Sequence, residues 1–318
     1  MAILLVFIGL AIAAYGQATP WRAGIIRLTV NTQVPFDVLV WYPTYAEEVP
    51  WQAGPFTIPA GRNAVFPDGS FPILLMSHGG GLTGGTPLIL REIAASLARQ
   101  GFVVVAPFHG KTRLRARPTQ IRQALAAVLA DPRFAPHLDP ARLGMVGFSL
   151  GTTVALELAG AIPNANHLEA YCNAHPNDAM SCASAPGGET ASAPPQSLPD
   201  EAATLPSPLT LKAIALLDPY AVLFQRPELT AVTTPILIFR PDHSELPGEA
   251  NAFALPSELP NRPDFQVIPG GHFVFTDVCP DSLRATAPEV CADPPNVDRE
   301  AVHREVEKRL ADFFHKHL

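Results

Sequence analysis

Short, wholly apolar runs bounded by Gly, Pro or Asp alternate along this chain with longer stretches in which Leu, Ile and Ala recur at three- and four-residue intervals. Ile25–Val30 and Phe36–Tyr42 read as an opening pair of antiparallel strands. Phe71–Ser77 reads as a buried strand that runs into His78-Gly79-Gly80-Gly81, and Phe102–Pro107 as another. Between them, Pro87–Gln100 has helical spacing and stops at Gly101, a glycine end signal. Thr119–Ala130 predicts the next helix. Arg142–Phe148 is then the fifth strand, and Thr152–Gly160 lies on the helix behind it. Leu211–Leu217, Pro235–Phe239 and Phe265–Ile268 are further strands. Arg299–Leu318 closes the chain as an amphipathic helix with Val302, Val306, Leu310, Phe313 and Phe314 on one face. Strands alternating with helices predict an α/β fold: a mostly parallel central sheet flanked by helices.

Two segments break the rhythm. Residues 161–210 are rich in Pro, Ala, Ser, Gly and Asn, show no sustained period, and predict a long inserted loop. Residues 1–18 combine the apolar run Ile3–Ala14 with Gly16-Gln17-Ala18, small residues at the −3 and −1 positions of a cleavage site. That pattern predicts a signal peptide ahead of a catalytic domain at 19–318. An uncleaved membrane anchor is the rival, but the run is short for a span and the mature chain would hold none. The four cysteines agree with an exported protein. Local closure has the lowest loop entropy, so Cys172–Cys182 and Cys279–Cys291 are the expected disulfides. No Cys-x-x-Cys spacing suggests a metal site among them.

Composition narrows the function. A chain of 318 residues with net charge −7 lacks the basic stripe of a nucleic-acid binder. Its 35 prolines, about twice the usual share, predict stiff loops. The basic run Lys111, Arg113, Arg115 and Arg117 reads as a solvated cationic loop.

The chemistry concentrates in Gly147-Phe148-Ser149-Leu150-Gly151, where an apolar strand passes through Gly-x-Ser-x-Gly into a helix. This is the form of a nucleophile elbow: a strained turn that exposes the serine hydroxyl above the sheet edge. A serine needs a base, and the base needs an orienting acid. His272, in a glycine-flanked turn after the last strand, is the best base; a turn histidine capping Phe273-Val274-Phe275 is the plainer alternative. His78 competes but introduces a glycine run, which suits loop architecture. His109, His137, His167, His175 and His243 fit surface or loop roles. The acid is open between two strand ends. Asp218 directly ends an apolar strand and is fixed by Pro219, whereas Asp242 lies in the looser Arg-Pro-Asp-His-Ser-Glu stretch. Asp218 is preferred, with Asp242 the alternative. The backbone N–H groups of Gly80 and Leu150 are the candidate oxyanion hole.

Met76-Ser77-His78-Gly79-Gly80-Gly81, the Ser149 elbow, Ile214-Ala215-Leu216-Leu217-Asp218-Pro219 and Gly270-Gly271-His272-Phe273 together resemble the platelet-activating-factor acetylhydrolase and dienelactone-hydrolase-like group of α/β-hydrolases. The resemblance covers residues 70–318. It implies the α/β-hydrolase fold, and it implies Asp218 as the acid, because in the acetylhydrolases the acid follows the strand after the elbow helix. Dienelactone hydrolases proper carry a cysteine where Ser149 stands, so their substrate does not transfer. The expected activity is hydrolysis of small or short-acyl carboxylic esters through an acyl-enzyme, with no metal or organic cofactor. A serine peptidase or amidase on the same fold is the alternative, and a catalytically silent binding protein a remoter one. The expected partner is a small-molecule ester.

Overall fold

The computed structural model describes residues 21–80, 85–182 and 207–318. Its strands are β1 (Arg22–Val30), β2 (Phe36–Thr44), β3 (Val49–Ala53), β4 (Phe56–Arg62), β5 (Phe71–Ser77), β6 (Val103–Pro107), β7 (Leu138–Phe148), β8 (Ala213–Leu217), β9 (Ile236–Pro241) and β10 (Asp264–Ile268). The helices are α1 (Arg91–Arg99), α2 (Arg117–Ala130), α3 (Leu150–Leu158), α4 (Ala165–Ala174), α5 (Ala179–Cys182), α6 (Arg226–Leu229), α7 (Leu255–Glu258), α8 (Asp281–Thr286), α9 (Pro288–Cys291) and α10 (Arg299–His317). The strands form one sheet in the order β10-β9-β8-β7-β5-β6-β2-β1-β4-β3. From β6 through β10 all pairings are parallel; β2 joins β6 antiparallel, and β1 and β2 form the expected antiparallel pair.

Successive residues of a strand face opposite sides, and the buried runs use both. Ile73, Leu75, Val103 and Val105 pack with Ile121, Leu125 and Val128 of α2 and Val154 of α3. Leu74, Met76, Val104 and Ala106 pack with Ile93 and Leu97 of α1 and Val302, Val306, Leu310 and Phe314 of α10. The wholly apolar strands therefore lie between two helical layers. Phe313, expected on the buried face of α10, is only half-buried. Helix α1 stops where predicted: Gly101 takes φ +91°, and its N–H donates to the Ala98 carbonyl at 3.0 Å.

Two expectations are corrected. The elbow strand is the seventh in chain order, not the fifth, because the hairpin β3–β4 adds two strands at the sheet edge beside β1. The 161–210 segment is not aperiodic throughout. Asn164 caps α4 by accepting the His167 N–H at 3.1 Å, and Cys172 and Cys182 join α4 to α5 in a disulfide. Cys279 and Cys291 are likewise bonded, with Cα atoms 5.6 Å apart. The rest of that segment, from residue 183 to 206, lies outside the described residues, as does the 1–18 segment read as a signal peptide. Among the described residues no helix is long and apolar enough to cross a membrane.

Candidate active site

Ser149 sits at the carboxyl end of β7 with φ 52° and ψ −121°, a strained backbone for a residue with a side chain. Its N–H donates to the Leu217 carbonyl at 3.0 Å, and its carbonyl accepts the Thr152 N–H at 2.9 Å. The turn closes only because both flanking positions lack a Cβ. A methyl at Gly147 would come within 2.5 Å of the Gly151 carbonyl oxygen, and one at Gly151 within 1.9 Å of the Ser77 oxygen. Leu150 opens α3, so its N–H has no intrahelical acceptor.

β10 leads to His272, which starts a 3₁₀ turn and is 2% exposed. Its Nε2 lies 3.0 Å from Ser149 Oγ, and its Nδ1 lies 2.6 Å from Asp218 Oδ2. A carboxylate at Nδ1 takes the ring proton on that side, which leaves the Nε2 lone pair facing the serine hydroxyl. The ring of Phe148 stacks on the imidazole with centroids 5.1 Å apart. The His272 N–H donates to the Glu245 carboxylate at 3.0 Å, which anchors the turn itself.

Asp218 ends β8 at φ 41° and is wholly buried. Arg240 donates to its Oδ1 at 2.7 Å, and the Ser244 hydroxyl donates to its Oδ2. Sequence reasoning missed both partners. They belong to the stretch read above as looser, whereas Arg240 is the penultimate residue of β9 and is buried. Asp242, the alternative acid, turns away: it accepts from the Gly270 N–H at 2.9 Å and pairs with His243 at 2.7 Å. Ser149, His272 and Asp218 are thus brought together, and Asp242 is not among them.

The glycine loop after β5 lies against the serine, since a Cβ on Gly79 would stand 2.8 Å from Ser149 Cβ. Gly80 takes φ 79°, and its carbonyl accepts from Arg117 at 2.6 Å; Arg117 also donates to the His78 carbonyl at 3.3 Å. Arg117 is therefore no member of a solvated loop. It is buried, unlike Lys111, Arg113 and Arg115, and it holds the glycine loop by its carbonyls. Beneath it, His78 donates through Nδ1 to the Gly79 carbonyl at 2.7 Å and accepts the His109 N–H at Nε2. Burial pushes His78 down to about 3, which keeps it neutral. His109, given a surface or loop role, lies in the loop after β6 and is buried there: Gln120 accepts from its Nδ1 at 2.6 Å, and Ser77 Oγ lies 2.9 Å from its Nε2. Gly81 lies outside the described residues.

Neither a protein-family model nor a curated protein sequence matches the chain. Solved structures do. A ferulic acid esterase from Streptomyces cinnamoneus superposes with a TM-score of 0.61 at 17% identity, over 96% of this chain and 92% of that one. MGS-M1, an α/β hydrolase enzyme from a deep-sea metagenome library of the Medee basin, gives 0.51 at 14% identity, over 92% and 98%. The chain has the α/β-hydrolase fold. A dienelactone hydrolase from Anabaena variabilis is also similar, at a TM-score of 0.47 and 14% identity over 93% of this chain and 99% of that one. The expected α/β-hydrolase fold is met. On this fold, Ser149, Asp218 and His272 follow the carboxyl ends of β7, β8 and β10, the sheet edge where open α/β folds bind ligands.

Proposed function

We propose that the protein is an exported serine hydrolase of small or short-acyl carboxylic esters. One observation carries this reading: the His272 imidazole lies between Ser149 Oγ at 3.0 Å and Asp218 Oδ2 at 2.6 Å. In the proposed reaction Ser149 Oγ attacks the ester carbonyl while His272 Nε2 takes the hydroxyl proton. The N–H groups of Leu150 and Gly80 receive the developing oxyanion. Collapse of the tetrahedral intermediate breaks the C–O bond, and His272 returns the proton to the departing alkoxide. Water, deprotonated by the same nitrogen, then releases the acid. Asp218 keeps the imidazolium oriented throughout. The stacked Phe148 ring and the buried position of Asp218 exclude water from this side of the base.

The named esterase among the structural neighbours supports ester chemistry on this fold. The two disulfides support an oxidising compartment and hence export. The α4–α5 clasp lies in the segment at 161–210, whose role is either to shape the acyl or alcohol pocket without supplying a reacting group or to stand as a stapled surface excursion. The test is fluorophosphonate labelling followed by peptide mapping, with short-acyl esters and the matching anilides assayed in parallel. Label on Ser149, and loss of esterase turnover by roughly 10⁶-fold in folded Ser149→Ala, are the expected results. Label elsewhere, or more than a few per cent of wild-type kcat in Ser149→Ala, overturns the reading. Anilide turnover matching that of the esters would move the activity to an amidase.

A further inference from the structure

On the α1 and α10 side of the sheet, three groups that can ligate a metal face one another. Glu92 opens α1, His303 lies in α10, and Asp277 follows the 3₁₀ turn that carries His272. One ligand atom from each lies within 4.8 Å of the other two. His303 Nε2 is 2.8 Å from the Val274 carbonyl, which only accepts, so Nε2 carries hydrogen. His303 Nδ1 lies 3.3 Å from Glu92 Oε2. Asp277 is 1% exposed; its Oδ2 accepts from Arg91 at 2.7 Å and from the Glu92 N–H at 2.9 Å. Its Oδ1 is buried and has no hydrogen-bond partner among the described residues.

We propose that Glu92, Asp277 and His303 form a binding site for a divalent transition-metal cation of the Zn²⁺ type. One imidazole nitrogen with two carboxylate oxygens is a donor set such ions accept. A metal-binding histidine characteristically donates its other N–H to a carbonyl or carboxylate, and the Val274 carbonyl fills that place for His303. The Glu92 side chain is 43% exposed, which gives an entry path and leaves a coordination position for water. A bound ion would link α1, α10 and the segment after His272, whose Asp277 N–H already donates to the Ile89 carbonyl at 2.8 Å. This site is independent of the Ser149 chemistry.

The experiment is calorimetric titration of the chelator-treated, full-length protein with Zn²⁺, together with thermal melts. One Zn²⁺ per chain is expected, with Tm rising by roughly 3 °C or more once Zn²⁺ is about 100-fold above its Kd. His303→Gln and Glu92→Gln should each weaken binding at least about tenfold. Glu92 is partly exposed, so its variant keeps the fold, and a melt without metal verifies this. Absence of saturable uptake overturns the proposal. Wild-type affinity in both variants also overturns it, because the ion would then be held elsewhere, for instance by His315 and His317 near the chain end.

Discussion

Asp218 and Asp277 are built from the same parts: each is buried, each is paired with an arginine, and each has a histidine nearby. They differ in how many of their oxygens are satisfied. Both oxygens of Asp218 accept, from Arg240 on one side and from Ser244 and His272 on the other. Asp277 spends one oxygen on Arg91 and the Glu92 N–H, and the other has no partner among the described residues. A buried acceptor without a donor costs about 1–3 kcal/mol. A closed set of partners fixes a side chain for work on something outside the set. An open one marks a place where the molecule leaves room for a cation. Burial agrees with the contrast, since it pushes the Asp277 carboxyl well above the usual carboxylate range despite Arg91.

The sharpest way to break the comparison is Asp218→Asn. Arg240 and His272 both donate to this side chain, so an amide offers one acceptor where two are needed. Its NH₂ must face either the guanidinium or the ring, and in the second case it forces the proton onto Nε2. Steady-state assay should show kcat down about 10⁴-fold with the fold retained. Asp242→Asn should leave kcat near wild type, because that carboxylate serves His243 and Gly270 instead. If the losses fall on Asp242 and spare Asp218, the acid role has been assigned to the wrong strand end.

Removing the arginines should separate the two sites. Arg240→Met strands a buried carboxylate, and unfolding in denaturant should show about 3–5 kcal/mol of lost stability. Arg91→Met should cost a similar amount in chelated protein, yet there Zn²⁺ can take the vacated place. Melts with and without Zn²⁺ should therefore recover much of the loss in Arg91→Met and none in Arg240→Met. Zn²⁺ affinity should rise on the order of tenfold once the competing cation is gone. Recovery in both variants, or in neither, would erase the distinction between a closed and an open carboxylate.

The legible part of this molecule was the part written in local sequence. Glycines around Ser149 and His272 and the carboxylate directly ending β8 announce themselves, because a turn's sterics act on neighbours in the chain. The supports were not legible. Arg117 and Arg240 look like surface cations by type, and nothing nearby says that their guanidinium groups meet backbone carbonyls or a carboxylate from distant strands. The hairpin β3–β4 escaped for another reason. Its alternation of Phe56, Ile58 and Ala60 inward is sound, but Pro50 and Pro59 make the run look unfit for a sheet until its edge position is known. Helix α4 buries only Leu168, so it has almost no apolar stripe to betray it. The Glu92, Asp277 and His303 group comes from three distant elements, where no ligand spacing exists to be read.

Glu157 supplies the third term of the comparison, a buried carboxylate with no ion pair among the described residues. It lies on α3, is 5% exposed, and burial alone pushes its carboxyl up to about 8. The sign follows from proton counts. Between its ordinary value near 4.5 and about 8 the folded chain holds a proton that the unfolded chain has released, so stability falls as pH rises through that window. Glu157→Gln keeps the shape and removes the titration. Its Tm should match wild type near pH 4, exceed it by a margin that widens up to about pH 8, and hold that margin above. The gain should be small, a few degrees. Melts at half-unit pH steps decide the matter: a margin that stays constant across the range would mean the substitution acts through packing. Glu157 would then not be the carboxylate that burial leaves uncompensated.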